Sequence, residues 1–231
     1  MLRKETIAAS TLELLKELME DEHLKDFFLV GGTDLSLRIG HRTSIDIDLF
    51  SLNSFDEKRI LEYMERKWGL QLNYLDKNTI KGQINNVQVD LITHAYPLVQ
   101  NLEVIEGVRS ASIQDISAMK LNSIVGNGTR VKDFIDIAFL SSFLSLDQML
   151  EAYETKYKTR NAVIVLKSLD FHQDINHLEP IKLTAGNYSW KPIEQRIKRM
   201  LTEHNQTFEP MDEVLKQKQR KITKKKFGRK P

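Results

Sequence analysis

Apolar residues recur at helical spacing through Ile7, Ala8, Leu12, Leu15, Leu18 and Met19, which predicts an amphipathic helix that stops near Asp26. Phe27-Phe28-Leu29-Val30 is a short apolar run ending in Gly31-Gly32, the pattern of a buried strand entering a tight turn. Thr33 or Asp34 is then expected to cap a short helix through Leu35, Leu37 and Ile39. From Ile45 to Phe50 apolar and acidic residues alternate, so Asp46 and Asp48 are predicted to share the polar face of a strand. Ser54 with Glu57 reads as a capping box opening a helix to about Trp68. Alternating segments follow at Leu70 to Leu75, Thr79 to Ile84 and Val87 to Thr93, the last two joined by an Asn85-Asn86 turn.

Beyond about Ala111 the strand pattern stops. Ser112 opens a helix from Ile113 to Val125, which Gly126 to Gly128 ends, and Val131 to Phe143 forms the next. Ser145 opens another to about Tyr157, and Asn161 to Leu169 and Pro192 to His204 read as two more. The expected fold class is α+β: a mixed sheet with flanking helices over 1–110, a mostly α-helical domain over 111–210, and a tail over 211–231.

Composition changes this picture in two places. The 231 residues include no cysteine, which excludes thiol catalysis, disulfides and thiolate metal sites and points to a cytoplasmic protein. No apolar run approaches the roughly 20 residues of a membrane span, so no membrane partner is expected. The net charge of +2 hides an asymmetry. Nine basic residues and no acid lie between Lys216 and Pro231, leaving an acidic body with a basic end. Such an end is suited either to tracking a phosphate backbone or to simple solvation.

The candidate chemistry gathers around the acidic strand. Asp46 and Asp48, with Asp90 flanked by Val89 and Leu91 on a second alternating strand, are expected to converge. Three carboxylates at one point repel one another, and hard divalent cations relieve that repulsion, two Mg2+ ions being the natural occupants. Gly31 and Gly32 allow a phosphate to approach the backbone, Thr33 adds a hydroxyl, and Arg38 or Arg42 could pair with phosphate oxygens. These parts describe a nucleoside triphosphate (NTP) held for in-line transfer at phosphorus. None of the six histidines shows metal-ligand spacing, although His41 adjoins the motif. Trp68, Trp190 and most phenylalanines read as core.

The run Leu29-Val30-Gly31-Gly32-Thr33, then Asp46-Ile47-Asp48-Leu49 and Val89-Asp90-Leu91, resembles the signature of the DNA polymerase beta-like nucleotidyltransferase superfamily. More closely, Val30 to Leu37, Arg42 to Phe50, and Lys120-Leu121 through Lys132-Asp133-Phe134-Ile135-Asp136 resemble the AbiEii/AbiGii family of abortive-infection toxins. The resemblance implies a metal-dependent nucleotidyltransferase acting as the toxin of a toxin-antitoxin pair in phage defence. Its nucleotide would go to an RNA acceptor such as a tRNA 3′ end, and its cognate antitoxin would be encoded nearby. It further implies that Asp46 and Asp48 are metal ligands, that Ser44 lies beside the triphosphate, and that Lys120 meets phosphate charge. Asp133 or Asp136 would be the acid of the later helical motif, with Asp136 preferred, and Asp90 would help deprotonate the attacking hydroxyl. Two other functions suit the same residues: AMP transfer to a protein hydroxyl, and a non-catalytic module that binds RNA or a partner.

Overall fold

A computed structural model describes residues 1–158 and 161–216. The basic end beyond Lys216 lies outside the described residues. The chain divides into two compact units, Met1–Ile116 and a second that begins at Ser117.

In the first unit, α1 (Ala9–Glu20) precedes β1 (Phe28–Val30), α2 (Gly31–Ile39), β2 (Ile47–Ser51) and α3 (Glu57–Trp68). Then come β3 (Gln71–Asp76), β4 (Thr79–Ile84), β5 (Val87–Thr93), β6 (Glu103–Ile105) and β7 (Val108–Ser110). The strands form one mixed sheet in the order β3-β4-β5-β2-β1-β7-β6. β2 is antiparallel to β1 and parallel to β5, while β4 and β5 form an antiparallel hairpin. Alternation sorts the strands' side chains: Leu29, Ile47, Leu49, Ile80, Ile84, Val89 and Leu91 go into one apolar cluster with Leu14, Leu15 and Leu18 of α1 and Met64 of α3. One sheet face is thereby sealed, and the alternate positions of β2 and β5 carry the polar residues.

Several local expectations change. No tight turn follows β1: α2 starts at Gly31, with Val30 as its N-cap and no side-chain cap. Thr33 is therefore inside the first turn, and Asp34 caps nothing because it is buried and bonded to Arg38. The cap of α3 is Asp56, which accepts from the Arg59 amide, in place of Ser54. Asp46 lies just before β2 and is exposed. The β6-β7 hairpin falls in a stretch where no strands were expected, closed by Glu106 and Gly107, both at positive φ.

From the second unit, α5 (Val131–Leu140) packs on α8 (Trp190–Met200), and α7 (Ala162–Asp170) packs on both α6 (Leu146–Lys156) and α8. Before them runs α4 (Ile113–Gly126). The Ser112 hydroxyl accepts the Asp115 amide at its start, and Ser145 with Gln148 forms a complete capping box on α6. Among the described residues no helix is long and apolar enough to cross a membrane.

Candidate active site

The site in the first unit is built where β1 ends and β2 begins. Val30 pairs with Asp48, so the residue after Val30 is forced up against the Asp48 side chain. Only glycine is tolerated there on two counts: Gly31 has φ +77°, and a Cβ on it would overlap the Asp48 carboxylate. At Gly32 a Cβ would stand 2.5 Å from the Arg42 guanidinium and 3.4 Å from the Ser44 hydroxyl. Asp48, Arg42 and Ser44 thus surround a bare, uncapped helix start whose first amides point outward unpaired within the helix.

Hydroxyl chemistry fixes the loop that closes this cradle. The Thr33 and Ser44 hydroxyls lie 2.9 Å apart, and Thr33 also bonds the Asp46 carbonyl. A carbonyl only accepts, so the single Thr33 proton goes to Asp46 and Ser44 supplies the proton between the two hydroxyls. The Ser44 amide donates to the Thr6 carbonyl at 3.0 Å, tying the loop to the N-terminal segment. Arg42 is buried, and its guanidinium donates to the Thr43 carbonyl at 3.2 Å.

The parallel register of β2 and β5 sets Asp48 beside Asp90 on the polar sheet face. Asp90 is mostly buried, and both of its oxygens are engaged: the Lys81 ammonium pairs with one, and the Gln88 amide donates to the other at 2.9 Å. The expected convergence of three carboxylates is therefore corrected. Among the described residues no group of three or more His, Asp or Glu could hold a metal ion. The charge of Asp90 is balanced by Lys81, and Asp46 stands exposed ahead of the strand.

Other expected residues are engaged in ion pairs and hydrogen bonds within their own units. Arg38 donates to Asp34 at 2.8 Å and to Glu103 at 2.9 Å and also bonds the Ala111 carbonyl, so it ties α2 to the β6 edge. Burial of Asp34 pushes its carboxyl up to about 6 even with Arg38 beside it. His41 is buried. In the second unit, Lys120 of α4 bonds Asp133 at 2.8 Å and Asp136 at 2.7 Å, all three buried, while Ser123 donates to Asp133 at 2.8 Å.

Sequence reasoning passed over Lys81 and Gln88, although a signal for them existed. Once Asn85-Asn86 is taken as a two-residue hairpin turn, counting outward pairs Gln83 with Gln88 and Lys81 with Asp90.

Asp46 and Asp48 are hard carboxylates, the kind of donor a divalent cation takes, and Asp48 stands against the Gly31 cradle that a Cβ would fill. These residues fit the group the chemistry implies.

The family model described as "Nucleotidyl transferase AbiEii toxin, Type IV TA system" matches residues 13–70 and 85–221. An uncharacterized protein of Aquifex aeolicus (strain VF5), aq_aa25, is 29% identical over 198 residues, spanning 83% of this chain and 94% of that protein. Among solved structures, JHP933 from Helicobacter pylori is similar with a TM-score of 0.48 and 16% identity, covering 94% of this chain and 98% of that one. A CCA-adding enzyme in complex with CTP has a TM-score of 0.35 and 15% identity over 83% of this chain and 56% of its own. With most of its length matched by that family's model, the chain belongs to the AbiEii nucleotidyltransferase toxins of toxin-antitoxin systems, enzymes whose substrate is an NTP and whose partner is an antitoxin.

Proposed function

We propose that this enzyme transfers a nucleotide from an NTP to an RNA acceptor such as a tRNA 3′ end, with Mg2+, and that this is its toxic activity in phage defence. The observation that carries the reading is the glycine cradle: an uncapped helix start pressed between the Asp48 carboxylate, the Arg42 guanidinium and the Ser44 hydroxyl. Free amides and a guanidinium suit a triphosphate, and a carboxylate beside them suits the cation that accompanies it.

In this reading Gly31, Gly32, Thr33, Arg42 and Ser44 bind the triphosphate, and Asp46 and Asp48 would hold magnesium, which when bound would supply positive charge to the phosphates. The acceptor hydroxyl attacks the α-phosphorus, the bond to the bridging oxygen breaks, and pyrophosphate leaves with that electron pair. Asp90 takes the hydroxyl proton, for which the Lys81 ammonium must first withdraw from it. For Lys120 and Asp136, in the second unit, a role in the reaction rests on the family resemblance alone. Within the second unit they form an ion pair of 2.7 Å.

The test is incubation of the full chain with total tRNA, magnesium and each labelled NTP in turn. RNA labelled by the native chain and unlabelled by Asp46→Ala and by Asp48→Ala is the expected result. Because Asp46 is exposed, its loss leaves the fold intact, and a circular dichroism spectrum matching the native one checks that. An Asp46→Ala chain that still labels RNA at the native rate overturns the reading.

A further inference from the structure

Three aromatic rings stand in a row on the polar sheet face, just past the paired carboxylates. Phe50 follows Asp48 by two residues on β2 and is half-buried on the same face. Its parallel partner is Ile92, as Asp90 is the partner of Asp48. His94 continues that face two residues beyond Ile92, and its amide donates to the Ser51 carbonyl at 2.8 Å, which extends the strand pairing by one bond. The imidazole of His94 stacks on Phe50 with centroids 5.0 Å apart and planes 29° from parallel. Tyr96 follows at 4.7 Å from His94, with its amide donating to the His94 carbonyl at 2.7 Å and with 41% of its surface exposed.

We infer that Phe50, His94 and Tyr96 form a stacking platform for the unpaired nucleobase at the end of the RNA acceptor. The inference rests on the nucleotidyl-transfer reading above. The sheet's apolar cluster, around Leu29, Leu49 and Leu91, contains none of the three rings. A nucleobase offers an apolar face to such rings, and the histidine edge adds a polar partner at its rim.

Position selects the acceptor over the incoming nucleotide. In-line displacement requires the attacking hydroxyl and the departing pyrophosphate on opposite sides of the reacting phosphorus. The glycine cradle for the triphosphate lies at the start of β2, and the aromatic row begins at its other end, with Asp48 and Asp90 between them. Along the strand Phe50 is about 7 Å beyond Asp48, one side-chain step on the same face. A terminal base resting on the platform leaves its ribose hydroxyl facing the carboxylates.

The experiment uses the full chain and a single-stranded RNA of about eight nucleotides with 2-aminopurine as its 3′-terminal base. Fluorescence of that base is read as protein is added without triphosphate, and transfer kinetics are then measured with the same RNA. The expected result is quenching by the native chain, with Tyr96→Ala and His94→Ala each binding on the order of tenfold more weakly and Tyr96→Phe binding as the native chain does. In kinetics the same two variants raise KM for RNA and leave KM for the NTP unchanged. Equal binding by native and alanine variants overturns the inference, as does an increase confined to the KM for the NTP. Ring-dependent quenching without transfer from any NTP would sink the nucleotidyl-transfer reading and leave the base-binding platform standing. Transfer that is indifferent to the rings would do the reverse.

Discussion

Each unit holds a lysine against buried or nearly buried aspartate, and the two clusters differ in what water can reach. At the sheet, the Lys81 side chain keeps 40% of its surface exposed while it pairs with Asp90, and it sits on β4, next to the edge strand. In the helical unit, Lys120 is 8% exposed and holds two aspartates that are sealed entirely, at 1% and 0%. An exposed ammonium exchanges its carboxylate for water at little cost, whereas a sealed one has nothing to replace it. The sheet pair is therefore built to open. The helical triad is built to stay.

The largest effect should come from breaking the triad. Lys120→Met takes the buried ammonium from Asp133 and Asp136, leaving Asp133 the more distant, exposed Arg130 at 3.7 Å, and chemical denaturation should show the helical unit losing about 3–5 kcal/mol. Replacing all three charges together, as Lys120→Met with Asp133→Asn and Asp136→Asn, should recover most of that loss, since no uncompensated charge remains. A triple variant as unstable as the single one would mean that packing, and not charge, governs this place.

Asp34 tests the same principle at a carboxylate whose partner is outweighed by burial. Its carboxyl titrates at about 6 in the folded chain against 3.8 for the free side chain, because burial dominates over the Arg38 guanidinium. The folded chain accordingly binds the proton more tightly than the unfolded one, and stability from this group falls as pH rises from about 4 to about 6. Asp34→Asn keeps an acceptor for Arg38 and cannot ionise. The difference in unfolding free energy between the variant and the native chain should grow over that range to on the order of 3 kcal/mol at neutral pH. Thermal melts at matched pH check this, and a difference that stays flat from pH 4 to 7 contradicts the burial argument.

Legibility in the sequence followed how local the determinant was. β4 and β5 were read with their observed ends because Asn85 and Asn86 both adopt positive φ, and a two-residue turn fixes everything outward from it. Helix caps carrying Ser or Asn, as at Ser112, Ser145 and Asn161, were legible for the same reason. Gly31-Gly32 misled as a turn signal, since its glycines answer to close neighbours 10 to 17 positions away, Arg42, Ser44 and Asp48, which no local pattern encodes. Asp46 was placed on a strand by alternation, but pairing starts only where β5 provides a partner, at Ile47 opposite Val89. The three-residue strands β6 and β7 are too short for period-2 alternation to stand out. The aromatic row needs the β2-β5 register before its rings can be seen to meet.

The smallest effect is the most informative for the sheet pair. Lys81→Met removes a charge that water already screens, so unfolding free energy should change by less than about 1 kcal/mol. Asp90 does not lose its place, because Gln88 still donates to it and the β4-β5 register is backbone-made. What changes is competition: the ammonium no longer occupies the oxygen that a cation or the acceptor proton would use. The magnesium concentration giving half-maximal RNA labelling should then fall roughly fivefold, the size expected for removing one nearby cation at a partly wet surface. An unchanged magnesium requirement with unchanged rate would mean that Asp90 takes no part in the reaction and that its pairing with Lys81 only closes the sheet. A requirement that falls while stability holds would show the two clusters to be opposite uses of one ion pair, the exposed one poised to exchange partners and the sealed one holding two helices together.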